Sequence, residues 1–339
     1  MRSAPRLTNI ARIRGFSLIE LMIALILGLV VVAAAGGIFI SNKRAFNATE
    51  TIGRIQENGR VAFELMARDV RESSGTPCGK NIPIANVLAD TSFDWGVGLK
   101  GYGGTQAMAD APFGTTAGKR VSGTDAVEFK AATDGLTSVS KHNPASATVF
   151  LGNGDHGFKD NDILLICDYS SAAIFQVTGP TTPVLHVVHN TGKGSATIGN
   201  TCKALSFPVD PDCSAKPKDG KKFAANSIIA RYSSTVWYVG YNARLGKSLY
   251  RKSHGNAAEE VTEGVDNMGL SYLVPGKSKY DAAPAVAAGD WTNVNALRVA
   301  LSLKAAVGAL SAREIEGTTK DQALTRQLVH TVTLRNRMP

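Results

Sequence analysis

Along the chain the spacing of apolar positions changes character twice. From Leu21 to Ile40 no side chain is ionisable, a run long enough to cross a bilayer as a helix. Past Ile40, SNKRAFNATETIGRIQENGRVAFELMARDVRESSG turns polar but keeps a helical rhythm. Ile52, Ile55, Ala62, Met66 and Val70 fall on one stripe. Asn58-Gly59 interrupts that stripe and is expected to bend or loosen the helix. Ser73, Ser74, Gly75 and Pro77 end it. The pattern predicts one long helix from about Phe16 to Ser73, apolar all round in its first half and amphipathic in its second.

Residues 76–124 are rich in Gly, Ala and Thr and read as a loop-rich excursion. Strand-like runs follow: DAVEFKA, ATVFL, DILLICD, AIFQVTG, VLHVVHN, SIIARYSSTVWYVGY, SLYRKS, GLSYLVP, ALRVALSLKA and LVHTVTLRN. Short turns between them favour a mainly antiparallel sheet body, two packed sheets, over alternating βαβ units. The expected fold class is therefore α+β, with a long amino-terminal helix laid on that body.

Charge and cysteines refine this picture. The 339 residues carry a formal net charge of +9. Arg2, Arg6, Arg12 and Arg14 stand in the first fifteen residues with no acid, and removing those four charges brings +9 down to +5. That mild excess is not a basic patch. Lys216, Lys218, Lys221 and Lys222 form the one tight cluster and read as a solvated loop, so nucleic acid is disfavoured as a partner. Cys78, Cys167, Cys202 and Cys213 all lie outside the apolar run and include no CxxC pair. An even count in an exported body favours two disulfides. ALSFPVDPD closes a short loop between Cys202 and Cys213, and that pairing leaves Cys78 with Cys167.

The amino terminus admits two readings. A cleaved secretory signal would need a shorter apolar core and a small-residue cleavage site, and AAAGGIFISNKR offers no convincing one. In the other reading the helix stays, the arginines hold its start in the cytoplasm, and the body lies on the far side. Glu20 is the anomaly, because a carboxylate inside lipid costs about 2.5–3.5 kcal/mol at mid-membrane.

GFSLIEL, behind an arginine-bearing leader and ahead of the apolar run, resembles the processing signal of type IV prepilins. ENGRVAFELMARDVRESSG, GTDAVEF, EEVTEGVDNMGLSYLV, VNALRVALSLKA and LVHTVTLRNR are similar to the PilW family of minor pilins, itself similar to the J-type minor pseudopilins of type II secretion. The resemblance implies that prepilin peptidase cuts between Gly15 and Phe16 and methylates the new amino terminus of Phe16. It makes Glu20 the acidic fifth residue of the mature chain, where it pairs with the Phe16 ammonium, in a neighbour or in the same subunit. The implied organisation is a leader over 1–15, a membrane and assembly helix over 16–40, its amphipathic continuation over 41–75 and a periplasmic β-rich body over 76–339. The implied partners are prepilin peptidase, other minor pilins, the major pilin, the inner-membrane assembly platform and the lipid bilayer.

No enzyme site is expected, and no cofactor or metal. GNGDHGFKDND, with Asp155, Asp160 and Asp162, lacks the spacing of a calcium loop and reads as a polar turn. GYNARLGKS misses the phosphate-loop spacing by one residue. His186 and His189 are three apart, so a strand puts them on opposite faces, and they read as separate surface histidines. A filament-borne DNA receptor and a type II pseudopilin remain as alternatives.

Overall fold

The computed structural model describes residues 15, 17–79, 82–90, 95, 97–153, 156–179, 185–193, 198–209, 220–305 and 325–337. A 55-residue helix, α1 (Leu18–Glu72), comes first. Among the described residues fourteen strands follow, the first seven being β1 (Ile84–Asn86), β2 (Leu99–Tyr102), β3 (Ala126–Asn143), β4 (Thr148–Leu151), β5 (Ile163–Cys167), β6 (Ala172–Gln176) and β7 (His186–Val188). After them come β8 (Ile228–Tyr241), β9 (Lys247–Ser253), β10 (Glu259–Glu263), β11 (Val265–Leu273), β12 (Asp281–Ala282), β13 (Ala296–Lys304) and β14 (Thr325–Thr333). A 3-10 turn over Arg335–Arg337 closes the described chain.

The strands form two sheets. The larger runs β1-β6-β5-β8-β3-β4-β7, with β9 on β8, β10 on β9 and β2 on β3; the smaller runs β12-β11-β13-β14. Among the described residues the β1–β6 pair is parallel and every other pair antiparallel. This is the long helix on a mainly antiparallel, two-sheet body expected from the pattern.

Among the described residues the buried apolar side chains form four clusters, and the two largest are strung on the same pair of long strands. Ile55, Ala62, Met66 and Val70 of α1 pack with Phe129, Trp237, Leu270, Val299 and Leu301. Beyond them Val149, Phe158, Leu164, Phe175 and Phe223 build a distal core. β3 and β8 reach both, and β3 does so through register shifts at Ala131–Asp134 and Asp134–Thr137, with Gly135 at φ +65°. TDGLTSVSKHN lacks apolar alternation and does not predict the outer half of β3; pairing with β8 and β4 makes it a strand.

The stripe on α1 is as predicted, but the role of Asn58-Gly59 is not. The helix runs through it unbroken. Asn58 Nδ2 donates to the Glu263 carbonyl at 2.9 Å. Gly59 is buried, and a methyl group there would collide with Leu328 and press on Leu303 at 3.2 Å. The pair is a docking point where the missing side chain lets the sheet approach.

Among the described residues of 76–124, only β1, β2 and isolated bridges are regular. The second half of this excursion is organised by Arg120, which is fully buried. Its guanidinium donates to the carbonyls of Gly103 (2.9 Å), Gln106 (3.0 Å) and Thr124 (2.6 Å) and lies 4.6 Å from the Phe113 ring centre.

Candidate assembly site

α1 begins with a capping box. Ser17 is the N-cap, and its Oγ accepts from the Glu20 backbone N–H at 3.2 Å. The Ser17 N–H in turn donates to Glu20 Oε2 at 2.9 Å. Two donors that a helix start leaves open are thereby satisfied. The spacing S-L-I-E carried this signal, but reading Glu20 only as a membrane carboxylate passes over Ser17. Gly15 is exposed and stands two positions ahead of the N-cap in the sequence, while Phe16 lies outside the described residues.

From Leu18 to Phe46 every residue is exposed, a shaft on the order of 40 Å at 1.5 Å per residue. Its most apolar window is long enough to cross a membrane, and none of it is buried in the body. Lys43 and Arg44 mark where the apolar run ends. Farther along, exposed pairs Glu50–Arg54, Arg60 with Glu57 and Glu64, and Arg68–Glu72 line the solvent side.

The far end of α1 is fastened tightly. Asp69 accepts from the Trp237 indole at 2.8 Å and from Arg251 Nε at 2.9 Å. Phe63 stacks on His330 with ring centres 4.0 Å apart. Asn336 Nδ2 donates to the carbonyls of Arg71 (3.3 Å) and Ser73 (3.2 Å). Arg337 donates to Ser74 Oγ at 2.9 Å and to the carbonyls of Trp291 and Val294, and burial pushes its guanidinium down to about 10. Asn336 and Arg337 are docking residues that sequence reasoning missed; nothing local distinguishes them, since their partners are more than 250 positions away in the case of Ser73 and Ser74.

Cys78 and Cys167 are joined, Cα to Cα 5.9 Å, tying the stretch after α1 to β5. Cys202 is also disulfide-bonded. Cys213, its expected partner, lies outside the described residues.

The histidines require a correction. His189 is fully buried, not on the surface, and its Nε2 sits 3.1 Å from Nε2 of His142, also buried. The Phe223 N–H donates to His142 Nδ1 at 3.1 Å. Neutral His142 therefore carries its proton on Nε2 and donates it to His189. Burial, then the Lys222 charge, lowers His142 to about 4; burial, then His142, lowers His189 to about 3. The two histidines do lie on opposite faces, as their spacing predicts: burial alternates from His186 to His189, so His189 turns inward with Val187 while His186 stays on the half-exposed face.

The other sequence candidates fall on structural duties. Asp162 pairs with Arg231 at 3.1 Å, Asp160 is exposed, and Asp155 lies outside the described residues. Among the described residues no group of three or more His, Cys, Asp or Glu could hold a metal. GYNARLGKS is the hairpin turn between β8 and β9. Lys216 and Lys218 lie outside the described residues, Lys222 is exposed, and Lys221 pairs with Asp168 at 2.6 Å.

Residues 10–36 match the model of the prokaryotic N-terminal methylation motif. No curated protein matches the chain. Among solved structures it is similar to the type IV-like pilin TTHA1219 from Thermus thermophilus, at 10% identity and a TM-score of 0.33, over 84% of this chain and 98% of that one. The chain thus carries a methylation motif at the head of a long apolar helix, which continues onto a mainly antiparallel, two-sheet body.

Proposed function

We propose that this chain is a minor pilin of a type IV pilus, of the PilW kind, acting in priming of filament assembly. Prepilin peptidase cuts it between Gly15 and Phe16 and methylates Phe16. The helix then anchors it in the inner membrane, amino end cytoplasmic and body periplasmic, until it joins other minor pilins and the major pilin near a filament tip. The observation that carries this reading is the division of α1: a methylation motif and a wholly exposed apolar shaft at one end, a fastened stem at the other.

Glu20 has a second task in this scheme. Its Oε2 already closes the capping box, so the helix start holds the carboxylate one turn from the amine that cleavage creates. Across subunits, that carboxylate and a neighbour's Phe16 ammonium neutralise each other in an apolar bundle.

Deletion of the gene, followed by counting of surface pili and assay of twitching, tests the role directly. Pili should fall sharply, and Glu20→Ala should be cleaved yet enter filaments poorly. Unchanged piliation, or normal incorporation of the variant, sinks the proposal. Loss of protein secretion with pili intact reassigns the chain to the pseudopilins.

A further inference from the structure

The smaller sheet ends in an edge that no described residue pairs. β14 follows β13 along nine residues, from Thr325 opposite Lys304 to Thr333 opposite Ala296, and is the last strand in the order. Natural edges are blunted by proline, by charge, by bulges or by shortness. TRQLVHTVT has no proline and one charge, Arg326, at its start; its register with β13 shows no bulge. Seven of its nine side chains are exposed, including Val329 at 53%.

The edge also has a direction relative to α1. Leu328 lies against Gly59, His330 against Phe63 and Asn336 against Arg71, so β14 runs the same way as the helix, alongside its stem. Antiparallel pairing of β14 with β14 of a second copy would point the two helices in opposite directions. Two such helices cannot enter one bilayer from the same side, nor share a filament of parallel helices.

We propose that the open edge of β14 receives an extended strand from a neighbouring filament subunit of a different kind, by β-strand addition. This rests on the filament reading above. The incoming strand places side chains on the outer face beside Gln327, Val329 and Thr331, where β-branched residues fit best, and on the inner face beside Leu328 and His330. A helix partner cannot substitute, because what the edge offers is a row of backbone donors and acceptors at strand spacing.

The test uses the full-length chain in its own bacterium. A photoreactive benzoylphenylalanine replaces Val329 or Thr331, and, as a control, Leu245 at the β8–β9 turn. Irradiation should join the β14 positions, and not Leu245, to another methylation-motif protein, with the joined peptide in an extended segment. Proline is also introduced singly at Val329 and His330. Neighbouring N–H groups point to opposite sides of a strand, so one of the two variants spares the β13 pairing and melts with its alanine counterpart, Val329→Ala or His330→Ala, the second carrying only the lost Phe63 stack. That variant should lose the cross-link and enter filaments about tenfold less. Adducts between two copies of this chain, adducts to a helix, or parental incorporation of the well-folded proline variant overturns the edge assignment alone. A parent chain that never enters filaments overturns both proposals.

Discussion

Trp237 and Asp69 meet across the helix–sheet interface, the indole N–H donating to Asp69 Oδ2 at 2.8 Å. The same oxygen takes Arg251 Nε at 2.9 Å, and Trp237 and Arg251 are directly opposite one another on β8 and β9. One helical carboxylate therefore pins two strands at once. Asp69→Ala strands a buried indole donor and a half-buried guanidinium, and should cost about 2–4 kcal/mol. Asp69→Asn keeps an acceptor and should lose less. Urea unfolding of the full chain in detergent, with Arg251→Ala as the second arm of a double-mutant cycle, measures both.

Gly59 separates helix propensity from docking. Gly59→Ala gains up to about 1 kcal/mol as a helix former, against a contact with the mobile end of Leu328, so the net change should be within about 1 kcal/mol of zero. Gly59→Leu has no such escape and should push β14 away, at a cost of about 1–3 kcal/mol. Thermal melts of the two variants side by side check the sign.

The histidine pair sets an acid limit. Both folded-state values lie below the ordinary 6.5, so the stability they contribute is complete above that pH. It is lost as pH falls from 6.5 toward about 4 and 3, because the unfolded chain takes up protons that the buried pair refuses. Stability should decline steeply across that window, and His189→Gln should leave roughly half the slope. Denaturant midpoints at intervals from pH 7 to pH 4 read this out.

Removing the bridge by Cys78→Ser with Cys167→Ala releases a loop of 89 residues and should cost about 4.6 kcal/mol in the chain-entropy account. Comparison of melting temperatures for parent and variant under non-reducing conditions checks it.

The capping contact of Glu20 and the charge pairing proposed for it come apart by substitution. Glu20→Gln keeps an acceptor for the Ser17 N–H but carries no charge, so the helix start should survive while filament entry fails. Ser17→Ala should cost the helix start about 1 kcal/mol and leave filament entry near parental. Immunoblots of sheared filaments and of membranes distinguish the outcomes.

Much of the fold was legible because it is local. The α1 stripe and most strands announce themselves in periodicity, and the Ser73–Pro77 stop falls where the helix ends. What stayed hidden depends on partners far along the chain. His142 and His189 are 47 positions apart, and only the ends of β3 and β7 bring them together. Asn58-Gly59 looks like a weakness until Leu303 and Leu328 are placed against it. At the assembly site, Gly15, Phe16 and Glu20 stood out in a compact motif, whereas Asn336 and Arg337, which fasten the stem, are ordinary polar residues whose role appears only after folding.

The parallel course of α1 and β14 has a mechanical consequence. A pull along the apolar shaft reaches the body along the axis of its attachments, from Ile55 to Ser73. The Gly59, Phe63, Asp69 and Arg71 contacts then share the tension in shear and must yield together, instead of peeling one after another. A subunit fastened in this way can bear load along its shaft and still release to a sideways tug.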